Sequence, residues 1–277
     1  MKQYLVNTWP GRRLEFFRNQ MGLMKTILLR PEQIATEVND QFATWLAYRL
    51  SPEGCVFIDI GAHIGSVTAG VLFYSKPRKI IAIEAIPSKA ARLKHQFPDV
   101  VILETALGET TGQSKFYIDL MRTGFSSLVP GNNQDANKVT EISVNVSRLD
   151  DLVNDSDVGF IKMDVEGAEV GVIRGARRIL KTCRPVILFE SGPPFQNALG
   201  YNKDHLWTEL MELEYVIVIP NRLPHDGREL DQAGFIEAHE YPRRTTNYFA
   251  VPREQRELIR DRVRSIMGRS AFRPMLR

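Results

Sequence analysis

Cysteine is nearly absent from this chain of 277 residues, which has only Cys55 and Cys183. They lie far apart, each beside an apolar run, which suits buried reduced thiols and excludes a cysteine zinc site or a disulfide framework. Long apolar runs are missing too. No stretch approaches the ~18 apolar residues of a membrane span. The opening MKQYLVNTWPGRRLEFF lacks the apolar centre of a secretory signal, so a soluble, cytoplasmic protein is expected. Internal repeats and low-complexity segments are also missing. What is present is ordinary globular usage, 43% hydrophobic and 25% charged, enough for one large α/β domain or two small ones.

The net charge of +3 is small but unevenly placed. Residues 253–277 hold eight Arg against Glu254, Glu257 and Asp261, which is +5 for the tail and −2 for the rest. Such a tail can contact a partner or an anionic surface. The plainer reading is a surface helix whose acids pair with Arg three or four positions away. Aromatics are not interleaved with the arginines as base stacking requires, so nucleic acid is not the expected partner.

Six short apolar runs alternate with segments of helical period: CVFIDI (55–60), KIIAIEA (79–85), VVILETA (100–106), GFIKMD (159–164), PVILFE (185–190) and YVIVIP (215–220). This is the pattern of βαβ units around a parallel sheet covered on both faces. Between the third and fourth runs, residues 107–150 carry turn signals and short pieces that read as an antiparallel excursion. The last run, TTNYFAVP, follows the loop-like NRLPHDGRELDQAGF rather than a crossover helix, and is placed as an antiparallel final strand. Residues 1–50 form a helical preface, with Pro31 well placed to start a helix. The expected parts are this preface, a domain over 51–252 and the basic tail over 253–277.

The first strand ends in DIGAHIG, with Asp59, Gly61 and Gly65 ahead of a helix. Glycine lets a ligand approach the backbone, and a helix N-terminus offers free N–H groups. Glu84 follows at the end of the second strand, where doubly wound nucleotide folds place the acid that binds ribose hydroxyls. Position 63 is His rather than the middle Gly of a pyrophosphate turn. A phosphate-free nucleoside such as S-adenosylmethionine therefore suits the turn better than a dinucleotide.

In FIKMDVEGAEV three carboxylates follow a strand. Asp164 sits at the strand's carboxyl edge, in the crevice it shares with Asp59. Glu166 and Glu169 are expected to serve the start of the next helix, where the macrodipole favours acids. Glu190, after PVILFE, is a second acid at a strand's edge. Asp164 and Glu190 could act as general base toward a hydroxyl or together hold a divalent cation. Without HxH or DxD spacing nearby, a metal is not expected.

These pieces resemble the FkbM family of S-adenosylmethionine-dependent methyltransferases. The resemblance runs through VFIDIGAHIG, IAIEAIPSKAARLK, ALGETTGQSKFY, GFSSLV, VSRLDDL, FIKMDVEGAEVGVIRGA and RPVILFE, over about residues 55–190. It implies a Rossmann-like, doubly wound, mostly parallel seven-stranded sheet with an antiparallel last strand. It also implies that Asp59, Gly61, His63 and Gly65 line the methionine end of the cofactor and that Glu84 and Ala85 meet the ribose. Thr105 and Ala106 would lie near the adenine and Asp164 beside the sulfonium. The family usually has Asn where His63 stands, and a His there could change charge near neutral pH. Ser126 and Ser127 of GFSSL would line the crevice toward the acceptor. Relatives methylate hydroxyls of sugars or secondary metabolites, so O-methyl transfer to a small-molecule or glycan acceptor is implied, with Asp164 as first candidate base and Glu190 as second. Specificity is expected in residues 1–50, 120–140 and 191–235, including Arg222, His225 and Arg228. A nicotinamide-dependent oxidoreductase and a non-catalytic nucleoside-binding module are the alternatives.

Overall fold

A computed structural model describes residues 9–119, 128, 139–192 and 199–268. Its centre is a seven-stranded sheet. Strands β1 (Val56–Ile60) and β2 (Lys79–Ile83) pair in parallel, as β2 does with β3 (Val101–Leu103). The chain next makes a three-stranded sheet of β4 (Ala106–Leu107), β5 (Gly112–Asp119) and β6 (Val139–Ser147), in which β5 and β6 are antiparallel. It then returns to the main sheet with β7 (Val158–Met163) against the free side of β1, β8 (Val186–Glu190), β9 (Tyr215–Val218) and β10 (Asn247–Pro252). The spatial order is β3-β2-β1-β7-β8-β10-β9, and only β10 runs antiparallel to its neighbours. The expected sheet is thus present, with NYFAVP as the antiparallel strand. The run VVILETA is not one strand, however. It stops at Leu103 and, after Glu104 and Thr105, resumes as β4 in the second sheet.

Period-two alternation builds two cores, one on each face. Ile58, Ile60, Ile161 and Met163 meet the helices α6 (Glu169–Gly175), α7 (Arg177–Thr182) and α8 (Lys203–Glu212). Phe57, Phe160, Leu188 and Phe249 meet the other layer, in which α2 (Ile34–Leu50) and α3 (Ser66–Tyr74) pack together. The expected single helix after Asp164 breaks at Ala176 into α6 and α7. Just before that break, a Cβ on Gly175 would lie 2.1 Å from the Gly108 carbonyl oxygen, so only glycine lets the helix approach the second sheet. The loop-like segment before β10 contains a short helix, α9 (Gln232–Glu237), whose first turn is capped by Asp231 accepting from Gly234 N–H at 2.8 Å.

Both ends of the described chain are built into this body. α1 (Trp9–Leu29) lies on α2, and Ala43, Leu46, Ala47 and Leu50 of α2 are buried in the second core. Asp40 of α2 accepts from the hydroxyls of Thr245 and Thr246 at 2.7 and 2.8 Å, and from the backbone N–H groups of Thr246 and Asn247 at 2.9 and 3.2 Å. The tail begins with α10 (Arg256–Ile266), whose Ile259 and Val263 enter the same core. Its arginines turn to the chain itself. Arg256 donates to the carbonyls of Leu223, Arg222 and His225, and Arg260 and Arg264 pair with Asp226. No helix among the described residues is long and apolar enough to cross a membrane.

Candidate active site

Strand order reverses between β1 and β7, because the chain leaves β1 toward β2 and β3 and returns on its other side. The crevice at the carboxyl ends of such strands is where open α/β sheets take ligands. A cavity occupies it here, lined by Gly61, His63, Glu84, Lys89, Asp164 and Glu166, with an apolar wall of Ile83, Ala85, Ile86, Ala106, Leu107 and Phe116. Half of the wall comes from the end of β2 and the turn after it, and half from the second sheet, which closes the cavity from the side of β4 and β5.

The two glycines of DIGAHIG serve the protein's own packing. Gly61 has φ +73° and a Cβ there would stand 1.9 Å from the Asp164 carbonyl oxygen, so the turn after β1 lies directly on the end of β7. Gly65 has φ +79° and abuts the Phe97 ring, 2.4 Å from where its Cβ would be. Gly61 also lines the cavity, whereas Gly65 does not.

Glu84 is 5% exposed and held by two backbone donors, the N–H of His63 on Oε2 at 2.8 Å and of Ile86 on Oε1 at 2.9 Å. A carboxylate oxygen so engaged keeps a further lone pair for a ligand hydroxyl. Burial raises its pKa, against the opposing effect of those donors and of Lys89. Burial, followed by the charge of Lys89, drops the His63 imidazole to about 4. It is therefore neutral across the physiological range, which corrects the expectation that its charge could vary there. Thr105 donates to the Asn145 carbonyl at 3.0 Å, tying the start of the second sheet together beside the apolar wall.

At the other end of the crevice the carboxylates of Asp164, Glu166 and Glu190 converge, with one oxygen of each within 4.8 Å of the others. Burial first, then the charges of Asp164 and Glu166, push Glu190 up to about 9. Burial and Asp164 push Glu166 up to about 8. Each carboxyl is therefore harder to ionise than a free one. Glu166, expected at the helix start, instead sits in a turn with φ +49° and faces this cluster. Glu169 keeps the expected place as the first residue of α6, fully buried, with Oε1 accepting from Gly167 N–H at 2.8 Å.

The sequence profile of the methyltransferase FkbM domain matches residues 59–217, 159 of 277 residues. The chain belongs to the FkbM methyltransferase domain family. The matched segment begins at Asp59 and ends within β9, so it contains the whole crevice. Among solved structures, an FkbM methyltransferase from Methylobacillus flagellatus is 18% identical with a TM-score of 0.45, over 72% of this chain and 43% of that one. A TehB-like S-adenosylmethionine-dependent methyltransferase from Corynebacterium glutamicum is 11% identical over 76% and 85% of the two chains, at 0.39. Fibrillarin from Aeropyrum pernix, in complex with S-adenosylmethionine, is 15% identical over 76% and 74%, also at 0.39. At these scores the likenesses say nothing about the chemistry of this chain. No curated protein matches it.

Within the FkbM domain the structure gathers Gly61, His63, Glu84, Ala85, Thr105, Ala106 and Asp164 around one cavity, and brings Glu190 to Asp164. It does not bring Asp59 to the cavity wall. Asp59 is fully buried, its Oδ2 accepting from the Thr68 hydroxyl at 2.7 Å and backbone N–H at 3.1 Å. His225 stands apart, in the loop that Arg256 fastens. Ser126 and Ser127 lie outside the described residues. Residues missed from sequence are Lys89, Phe116 and Lys162. Phe116 could have been found from the alternation of SKFYID. Lys162 could have been found by setting FIKMD beside VFIDI, where acid and lysine stand one position before each strand's last residue.

Proposed function

We propose that this FkbM domain is an S-adenosylmethionine-dependent methyltransferase that methylates a hydroxyl of a sugar, glycan or secondary metabolite. The observation that carries this reading is one crevice with three chemistries in sequence: a ribose-type acid at Glu84, an apolar slot between Ile86, Ala106 and Phe116, and an acidic end at Asp164, Glu166 and Glu190. Those residues suit a nucleoside with a cationic tail and no phosphate. When bound, the cofactor supplies an electrophilic methyl on a positively charged sulfur. The chain's part is to hold the acceptor oxygen in line with that methyl and to receive the hydroxyl proton. Asp164 is the first candidate for that proton, because burial and acidic neighbours disfavour the charged form of Glu190. Glu190 is the second.

The experiment is a thermal-shift titration with S-adenosylmethionine, S-adenosylhomocysteine and NAD, followed by glycan and metabolite fractions with a labelled methyl donor. Stabilisation by the two sulfur nucleosides and label in a hydroxyl-bearing product are expected. Stabilisation by NAD alone would point to the oxidoreductase instead. Cofactor binding that survives Asp164→Ala and Glu190→Ala, with no methylated product from any fraction, would leave only a binding module.

The convergence of Asp164, Glu166 and Glu190 supports a second reading, in which a hard divalent cation orients the acceptor oxygen. Transfer that falls on chelation and returns with Mg²⁺ would favour it.

A further inference from the structure

Lys162 lies on β7 directly opposite Asp59 of β1, on the face where Phe57 and Phe160 stack at 5.4 Å. Its side chain is 12% exposed, so its charge needs partners. The Nζ finds them on three separate pieces of the site: Asp164 Oδ2 at 3.2 Å, the Gly61 carbonyl at 3.4 Å and Asp59 Oδ1 at 3.9 Å. Lys162 itself does not line the cavity, but two of the groups it holds, Gly61 and Asp164, do.

The plain alternative is a structural counter-ion for the buried Asp59. The geometry leans the other way. Asp59 Oδ1 has no hydrogen-bond partner, yet the ammonium stops 3.9 Å short of it and sits closer to Asp164. A counter-ion built for Asp59 would close that gap. We propose that Lys162 is a positioning residue of the methyl-transfer site, gripping Asp164 and the Gly61 turn from beneath. This rests on reading the crevice as that site.

The charged and titratable groups facing Lys162 are Asp59 from β1, His63 and Glu84 from the turn and β2, and Asp164, Glu166 and Glu190 from the ends of β7 and β8. Burial alone would lower the lysine's pKa. The charges of Asp164, Asp59 and Glu190 outweigh it and raise it, so Lys162 stays charged.

The test compares Asp59→Asn with the double variant Asp59→Asn/Lys162→Met. The double variant removes the buried pair as a unit, so the fold is not left with a lone buried charge. Two readouts are taken: the amide exchange of the Gly61 turn and the Asp164 segment, which Lys162 joins, and the affinity for S-adenosylhomocysteine by calorimetry, with Asp59→Asn/Lys162→Arg as the conservative variant. Relative to Asp59→Asn, the Lys162→Met double variant is expected to exchange the Gly61 turn about tenfold faster and to bind about tenfold more weakly, the effect of losing a hydrogen bond from a charged donor, and Lys162→Arg is expected to restore most of both. If either value equals that of Asp59→Asn, Lys162 is only a counter-ion and the proposal is overturned. If the unaltered protein binds neither S-adenosylmethionine nor S-adenosylhomocysteine, the methyltransferase reading fails by itself, and the amide exchange still shows whether Lys162 holds the Gly61 turn to Asp164.

Discussion

Replacing Glu190 by Gln should make the protein more stable and less active. Glu190 ends β8, buried beside Asp164 and Glu166, and those surroundings push its pKa up to about 9 from an ordinary 4.5. A carboxyl whose pKa is raised by folding contributes its full stability below the unfolded value. That contribution is lost progressively as the pH climbs toward the folded value. At pH 7 the loss is about 3 kcal/mol, from 1.36 kcal/mol per pH unit above the unfolded value, and glutamine, which does not ionise, is spared it. Urea unfolding of both proteins at pH 5, 7 and 8.5 measures the difference. Glu190→Gln should gain little at pH 5, at most about 3 kcal/mol at pH 7, and more at pH 8.5. Neighbouring Glu166 titrates in the same range, so part of the gain is shared. Methyl transfer should fall in the same variant if Glu190 handles the acceptor's proton. A variant no more stable at pH 7, or a difference that does not widen with pH, would refute the placement of Glu190 in this charge cluster.

Further expectations concern the crevice and its supports. Glu84→Gln should weaken S-adenosylmethionine and S-adenosylhomocysteine alike, by about 10- to 100-fold for hydrogen bonds to a charged acceptor; unchanged calorimetric affinity would remove Glu84 from the nucleoside site. Gly61→Ala should cost about 3 kcal/mol or more in unfolding experiments, because its Cβ meets the Asp164 carbonyl at 1.9 Å in a left-handed turn. Wild-type stability would mean that the ends of β1 and β7 are not pressed together. Since the His63 imidazole is neutral well below pH 6, His63→Asn should leave the pH dependence of cofactor binding between pH 6 and 8 unchanged, and a lost inflection there would show that His63 titrates. Arg256→Met should cost about 1–3 kcal/mol and speed amide exchange in the loop of Leu223 and His225, whose carbonyls it caps.

The main sheet was legible because strands buried on both faces leave unbroken apolar runs and crossover helices leave their period. VVILETA misled because its apolar character continues while its hydrogen bonds pass from one sheet to the other. At the site, Glu84 and Asp164 were legible from their places at strand ends. The glycines were legible as necessary, but the reason differed: their missing Cβ atoms make room for Asp164 and Phe97 as well as any ligand. Asp59 looked like a ligand-facing acid because position along a strand does not tell edge from interior. Glu166 looked like a helix acid because the left-handed turn that aims it at the cluster has no signature in DVEGAE. Lys162 carries no signature of its own, because a lysine inside an apolar strand is normally an outward residue, and only its cross-strand partner Asp59 reveals that it points inward.

The clasp between Asp40 and the residues leading into β10 sets an order of events during synthesis. Domains generally begin to fold from the N-terminal side as the chain emerges, and β8 is complete some sixty residues before its outer neighbour β10. Until then β8 is an open edge, and Asp40 lacks the four donors that Thr245, Thr246 and Asn247 bring. A ribosome paused after β9 would therefore display an unfinished sheet with Glu190 at its rim. Chaperone capture should be greatest in that window and should end when Pro252, the last residue of β10, clears the exit tunnel.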